Sequence, residues 1–305
     1  MTSARIETQI VRAHAKVNLL LRILAREASG YHGIETLFQK LALHDVVRVR
    51  ATSATRTLTC DGPSMPPGGL GAPESNLAWR AAEAYVAASG WQTGWQIDID
   101  KYIPVGGGLG GGSADAAAVL RALEAMSPTP IGSAALLEVG GSLGADVAFF
   151  VTAASLALAW GRGDRLLALS ALPVMPLALF AFEAGVNTAD AYGAIARHRE
   201  AGAIAARDGA TNVLSRAMAY APDAFASWSS VCALATNDFE EVVTAMHAGV
   251  GALLPSLKRG AAAASSPSIG MLSGSGATCF ALGDVNADEM LVQETGARRI
   301  LTSTA

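Results

Sequence analysis

The stretch Val105–Ala117, VGGGLGGGSADAA, places six glycines in its first eight positions and then runs into alanines. Glycine gives up more backbone entropy on folding than any other residue, so a run this dense in a folded chain needs a structural return. A strand pattern precedes it: in WQIDIDKYI, Ile97, Ile99 and Ile103 alternate with Asp98, Asp100 and Tyr102 until Pro104 stops the run. A helical pattern follows, in which Ala116, Val119, Leu120 and Leu123 recur at three- and four-residue spacing and Ser113 is placed to cap the first turn. The order strand, glycine loop, helix presents consecutive backbone N–H groups, bare of Cβ atoms, at a helix N-terminus. Unpaired amides and the helix dipole both favour an anion there, most often a phosphate.

Two familiar phosphate loops do not fit. Gly106, Gly108 and Gly111 spell GxGxxG, but no following strand ends in the acidic residue that a ribose would need about 20 positions on. The GxxxxGK[ST] pattern is absent, because the chain contains no Gly-Lys pair. A phosphate loop of another type is left, beside the plainer alternative that the glycines only permit close helix packing.

Around the loop, 305 residues that are 51% hydrophobic and 16% charged allow one large or two ordinary domains, each with a core. A formal charge of -4 without any Lys/Arg block argues against a nucleic-acid surface or a polybasic membrane patch. Cys60, Cys232 and Cys279 are odd in number and far apart, which suggests neither a disulfide framework nor a zinc site and fits a reducing cytoplasm. The apolar runs Val147–Gly161 and Leu166–Phe182 are respectively too short and broken by Pro173 and Pro176, so no membrane span is expected.

The first 50 residues read as strands and turns, with an apolar stretch at Val17–Ile23 and the alternation VVRVR. A Pro- and Gly-rich loop, Pro63–Pro73, leads into a helical pattern closed by Gly90. Later, LPVMPLALFAF reads as a buried strand, TADAYGAIARHREAGAIAARDG as a helix ending at Gly209, and GMLSGSGATCFAL as a second glycine loop entering a strand.

Lys16, in AHAKVNL, alternates with apolar neighbours on a strand. An inward lysine there implies a carboxylate or phosphate partner, whereas an edge position would let it reach solvent. Asp146, in GGSLGADVAFFV, lies between glycines and an apolar run, as a residue facing a cleft from a helix start or as a simple N-cap. Tyr31 and His32 occupy a turn, SGYHG, where loop residues of this kind contact ligands more often than they support packing.

PVGGGLGGGSADAA resembles the central ATP-binding motif of the GHMP kinase superfamily, and GMLSGSGATCFAL resembles its C-terminal glycine motif. AHAKVNLLLRI followed by GYHGIETLFQKLALHD is similar to the N-terminal motif of those members that phosphorylate a cytidine diphosphate sugar alcohol. ESNLAWRAA, GADVAFFV and NDFEEVV match further segments, so the likeness runs in order from about Ala13 to Leu282.

The resemblance implies an α+β, two-domain fold: residues 1–165 nucleotide-binding and similar to ribosomal protein S5 domain 2, residues 166–305 ferredoxin-like and on the substrate side, with the active site between them. It makes Asp146 the general base and Lys16 the residue that holds the nucleophile and offsets charge on the transferring phosphoryl. It assigns the nucleotide to Asn76, Pro104, Val105, Gly106, Gly107, Gly108, Leu109, Gly110, Gly111, Gly112, Ser113 and Ala114. The substrate falls to Asn18, Tyr31, His32 and Phe38, with Thr188 and Tyr192 closing the pocket. ATP and Mg2+ are implied, the magnesium arriving with ATP since no metal-ligand cluster is visible. So are a cytoplasmic monomer or homodimer and no nucleic-acid or membrane partner. The chain departs from the family's pattern at Ala114, where a second serine is usual, and in FEAGVNT, which lacks a common proline.

Overall fold

The computed structural model describes residues 8–26, 32–200, 202, 220, 221, 223–285 and 287–305. The chain forms two compact units and enters each more than once. The first comprises the residues up to Lys16, Ala42–Val105 and Gly110–Ala154; the second comprises Val17–Leu41, Gly106–Leu109 and Ser155–Ala305. Strands β1 (Thr8–Arg26) and β2 (His32–Thr52) each run from one unit into the other, and so does the glycine loop.

In the first unit, β3 (Arg56–Asp61) is followed by helix α1 (Leu77–Ser89), strand β4 (Gly94–Asp100) and helices α2 (Gly111–Met126), α3 (Gly132–Leu143) and α4 (Ala145–Val151). The second half of β2 pairs antiparallel with β4, from Val46 opposite Asp100 to Thr52 opposite Gly94, and β3 runs parallel to β4. The alternation in β4 works as its sequence suggests: Trp95, Ile97 and Ile99 are buried while Gln96, Asp98 and Asp100 are half-buried. The five residues Ala114–Ala118 are all buried, and so are Val119, Leu120 and Leu123, because α2 is covered by α1, α3 and α4. A helix hidden on most of its faces can be alanine-rich without exposing backbone, and small side chains let its neighbours approach.

α2 starts earlier than its sequence suggests. Its N-cap is Gly110, in the left-handed region at φ 72°, and Ser113 lies inside the first turn without capping it. A glycine free to adopt positive φ turns the chain into the helix directly, which leaves the serine cap nothing to do. α1, by contrast, begins later, at Leu77 after a short 3-10 turn at Pro73–Ser75, and closes at a left-handed Gly90.

The second unit holds the first half of β2 in antiparallel register with β5 (Leu156–Gly161), which pairs with β6 (Arg165–Leu169). Its remaining elements are β7 (Pro176–Ala181), α5 (Thr188–Glu200), α6 (Trp228–Leu234), β8 (Thr236–Asn237), α7 (Glu240–Met246), α8 (Ala248–Ala263), β9 (Ile269–Leu272), β10 (Cys279–Leu282), α9 (Glu289–Glu294) and β11 (Arg298–Ser303). β8 lies parallel to β1, Leu20 opposite Thr236. The other four strands form an antiparallel sheet ordered β11-β7-β10-β9. In chain order this is 4-1-3-2 with helices before the second and fourth strands, the β-α-β-β-α-β ferredoxin-like arrangement expected for this half. α8 covers it with Val250, Leu253, Leu254 and Leu257, a buried stripe at helical spacing. The end of the expected helix at Gly209 lies outside the described residues. No helix among the described residues is long and apolar enough to cross a membrane.

Candidate active site

Lys16 is 4% exposed, so it does not reach solvent from a sheet edge. A buried ammonium is costly unless an anion faces it, and Asp146 does: its Oδ2 lies 3.5 Å from Lys16 Nζ. Asp146 is the second residue of α4, whose N-cap is Gly144, so the carboxylate does not cap the helix and points its charge at the lysine. About a third of the Asp146 side chain remains exposed, which leaves it accessible to a reactant.

The end of the glycine loop is laid over this pair. Gly110 has no room for a side chain: a Cβ would sit 2.9 Å from the Phe150 ring and 3.2 Å from Lys16 Cε. The first intrahelical bond of α2 runs from the Ala114 N–H to the Gly110 carbonyl, so the N–H groups of Gly111, Gly112 and Ser113 have no partner within the helix. A Cβ built on Gly112 would meet nothing within 4 Å, whereas one on Gly111 would crowd Ile103 at 3.1 Å. Bare amides at a helix start, next to an ammonium, fit an anion by charge and by shape. Ala114 is buried at 1% exposure.

Below the loop lies a cluster that the sequence analysis did not single out. Lys101, just past the end of β4, places Nζ 2.5 Å from Asp45 Oδ2 and 2.6 Å from Asp115 Oδ2, and all three side chains are buried. Asp45 Oδ1 accepts the N–H groups of Tyr102 at 2.5 Å and Ile103 at 2.8 Å. Burial foremost, and then the Asp45 charge, push the Asp115 carboxyl up to about 7 against the pull of Lys101. Burial works to lower the Lys101 ammonium, but Asp115 and Asp45 outweigh it and hold the group above its ordinary range. Asp115 lies inside the quoted motif; its partners reveal it, Lys101 lying 14 positions before it and Asp45 a further 56 before Lys101.

Asn76 caps α1, its side-chain oxygen accepting the Ala78 N–H at 2.9 Å while its amide reaches Cys60 Sγ at 3.8 Å. Burial foremost, with Asp115 adding, pushes the Cys60 thiol up to about 11, so it stays protonated near neutrality.

Within the second unit, Gly106–Leu109 lies against the second glycine segment. A Cβ on Gly108, at φ +75°, would fall 2.2 Å from the Ser273 carbonyl oxygen, and Ser273 Oγ donates to the Gly108 carbonyl at 3.0 Å. The NDFE run fixes that segment. Asn237 Nδ2 donates to the carbonyls of Leu272 and Gly274, both at 2.9 Å. Glu240 Oε1 accepts the Leu272 N–H at 3.1 Å and its other oxygen pairs with Lys258. These roles depend on backbone partners, which residue type alone does not reveal.

The substrate-side candidates fall in the second unit as well. Asn18 donates to Thr36 Oγ1 at 2.8 Å, and its Oδ1 would lie 3.6 Å from a Cβ on Gly274. Thr188 Oγ1 is 2.8 Å from Ser275 Oγ, and the Tyr192 ring stands edge-on to Phe239 at 5.0 Å. Asn18 and Thr188 thus flank the second glycine segment. Phe38 is fully buried in the sheet opposite Ala157. His32 is the first residue of β2 rather than part of a turn; its side chain and Tyr31 lie outside the described residues.

Comparison with known proteins gives this arrangement a family. Residues 76–154 match the model of the GHMP kinases N-terminal domain. The 4-diphosphocytidyl-2-C-methyl-D-erythritol kinase of Pelotomaculum thermopropionicum is 43% identical over 59% of this chain and 61% of its own length. A crystal structure of a 4-(cytidine 5'-diphospho)-2C-methyl-D-erythritol kinase superposes with a TM-score of 0.66 at 28% identity, covering 97% of this chain and 99% of that one. The kinase of the same name from Geobacter metallireducens is 37% identical over 89% of this chain and 88% of its own length; with so much of both chains shared, this chain belongs to the 4-diphosphocytidyl-2-C-methyl-D-erythritol kinase family of GHMP kinases.

Proposed function

We propose that the protein transfers the terminal phosphoryl group of ATP to the 2-hydroxyl of 4-diphosphocytidyl-2-C-methyl-D-erythritol, a step of non-mevalonate isoprenoid synthesis. The observation that carries the reading is the 3.5 Å approach of Lys16 and Asp146, with Gly110 of the glycine loop packed on the Lys16 side chain, in a member of this kinase family. Phosphoryl transfer asks the protein for positioning and charge stabilisation, and an alcohol acceptor also needs a base. Asp146 accepts the hydroxyl proton as the new P–O bond forms, and the bond to the bridging oxygen breaks to release ADP. Lys16 orients the hydroxyl and offsets the charge that builds on the transferring group.

The amides between Gly106 and Ser113, with Pro104, Val105, Leu109 and Ala114 shaping the loop, hold the phosphates, and Asn76 lies on the nucleoside side. Magnesium would be held chiefly by the phosphates, with one or two carboxylates at most, and would supply positive charge to offset theirs. Asp146, a partly exposed carboxylate beside Lys16, is the kind of oxygen donor that would suit such a phosphate-held ion. Asn18, Tyr31, His32, Phe38, Thr188 and Tyr192 take the cytidine alcohol, in a cytoplasmic monomer or homodimer, with the nucleotide bound by residues 1–165 and the alcohol closed over by residues 166–305. Incubation with ATP, magnesium and the alcohol, followed by mass spectrometry and phosphorus NMR, tests the reading. A new phosphomonoester on the erythritol supports it; ATP hydrolysis without that product overturns it.

A further inference from the structure

The buried cluster below the loop takes no part in the chemistry just proposed, yet it joins the two ends of the loop that does. Lys101 precedes the loop, Asp115 follows it in α2, and Asp45 reaches over from β2 to hold both Lys101 and the two backbone amides next to it. Stability alone is a weak reason to bury such a group, since apolar residues of equal volume commonly serve the fold as well or better. Apolar side chains cannot, however, pin two backbone N–H groups and a helix turn to one point with directional bonds. The span between the pins contains six glycines, so without them the loop would sample many shapes and lose that freedom on binding a ligand.

Resting on the nucleotide reading above, we infer that Asp45, Lys101 and Asp115 are positioning residues: their clasp fixes the exit of β4 against the first turns of α2 and so sets the loop's affinity for the triphosphate. The clasp acts on the spacing of amides and touches no reacting atom. A change in it is therefore felt in nucleotide affinity, while the alcohol's KM and the rate at saturating ATP stay near their starting values.

Asp115→Asn and Asp115→Ala test this as a graded pair in the full-length protein. Asparagine keeps an acceptor for the ammonium but removes the carboxylate's charge, turning an ion pair into an ion–dipole bond; alanine removes the bond. The ADP dissociation constant by calorimetry and the ATP KM should rise about threefold in Asp115→Asn and about tenfold or more in Asp115→Ala, the scale of a weakened and a lost charge-assisted hydrogen bond. A packing role alone would lower the melting temperature and the active fraction, but would leave the affinity of the surviving enzyme unmoved. Should Asp115→Ala fail to fold, Asp115→Asn decides: a folded Asn variant that binds ADP as tightly as the wild type overturns the clasp. The calorimetry uses no acceptor alcohol, so a wild type that binds ADP but does not phosphorylate the alcohol sinks the substrate reading and leaves the clasp to be judged on its own.

Discussion

At the scale of single residues, Lys16 and Asp146 differ in how much of each is committed to the fold. Lys16 is buried and Asp146 is partly open, so the pair reads as an anchored cation steering a reachable base. Asp146→Asn removes proton acceptance while keeping size, and its kcat should fall about 10² to 10⁴-fold, the usual worth of a positioned base. Calorimetric ADP binding should stay near that of the wild type, because the loop amides are untouched. Lys16→Met should lower kcat on a similar scale.

Asp115 makes a second prediction, in stability rather than rate. Its folded-state carboxyl is raised to about 7, above the unfolded value near 3.9, so the folded state binds the extra proton. The resulting stability is fully present below the unfolded value and is lost as pH rises through about 7. The groups facing it are Lys101, Asp45 and, more remotely, Cys60. Melting temperatures of the wild type should therefore fall relative to Asp115→Asn between pH 5 and pH 8; parallel curves would refute the assignment.

At the scale of elements, the glycine loop separates two jobs that one residue type performs. Gly108 is required by space: positive φ and a carbonyl 2.2 Å from any Cβ mean that Gly108→Ala must push the second glycine segment away. Its melting temperature should drop and its ATP KM should rise together. Gly112 stands inside α2 with nothing near a Cβ, so Gly112→Ala should leave the melting temperature unchanged or raised, by up to about 1 kcal/mol of helix propensity. If the open space there receives a phosphate, the ATP KM nevertheless rises; an unchanged KM would move the phosphates elsewhere.

The strand, loop and helix were legible in the sequence because each is a local pattern: alternation in β4, glycine density, and helical spacing in α2. The ferredoxin-like half was legible only through family resemblance, since its strand order is set by pairings between distant segments. The approach of Lys16 to Asp146 also came from resemblance, as strand periodicity alone leaves a lysine free to face either way. The roles of Asp45, Lys101, Asn237 and Glu240 were not legible, because each is defined by what the backbone of another element offers. Ser113 misled for a related reason: a preferred capping residue yields to a glycine that can turn the chain by itself.

At the scale of the molecule, both units are built from segments that return after long excursions. A chain ending at residue 165 keeps β1 and β2 but lacks β8 and the whole second sheet, against which Val17–Leu41 is compacted. Such a fragment should show no cooperative thermal transition by circular dichroism; a sharp melt would mean that its residues fold on their own. In the full chain, saturating ATP at about 100 times its dissociation constant should add about 2.7 kcal/mol to the unfolding free energy.

The bond between the Ile23 N–H and the Asp238 carboxylate closes a span of 215 positions. A ribosome adding about 5 to 20 residues per second leaves the early strand waiting roughly 10 to 40 s for its late neighbour. During that interval the Val17 to Ile23 segment of β1 has its neighbour β2 but lacks β8 on its other side. Newly synthesised chains should therefore depend on holding factors at the exit tunnel, and depletion of those factors should cost yield in proportion to how slowly the middle of the message is read.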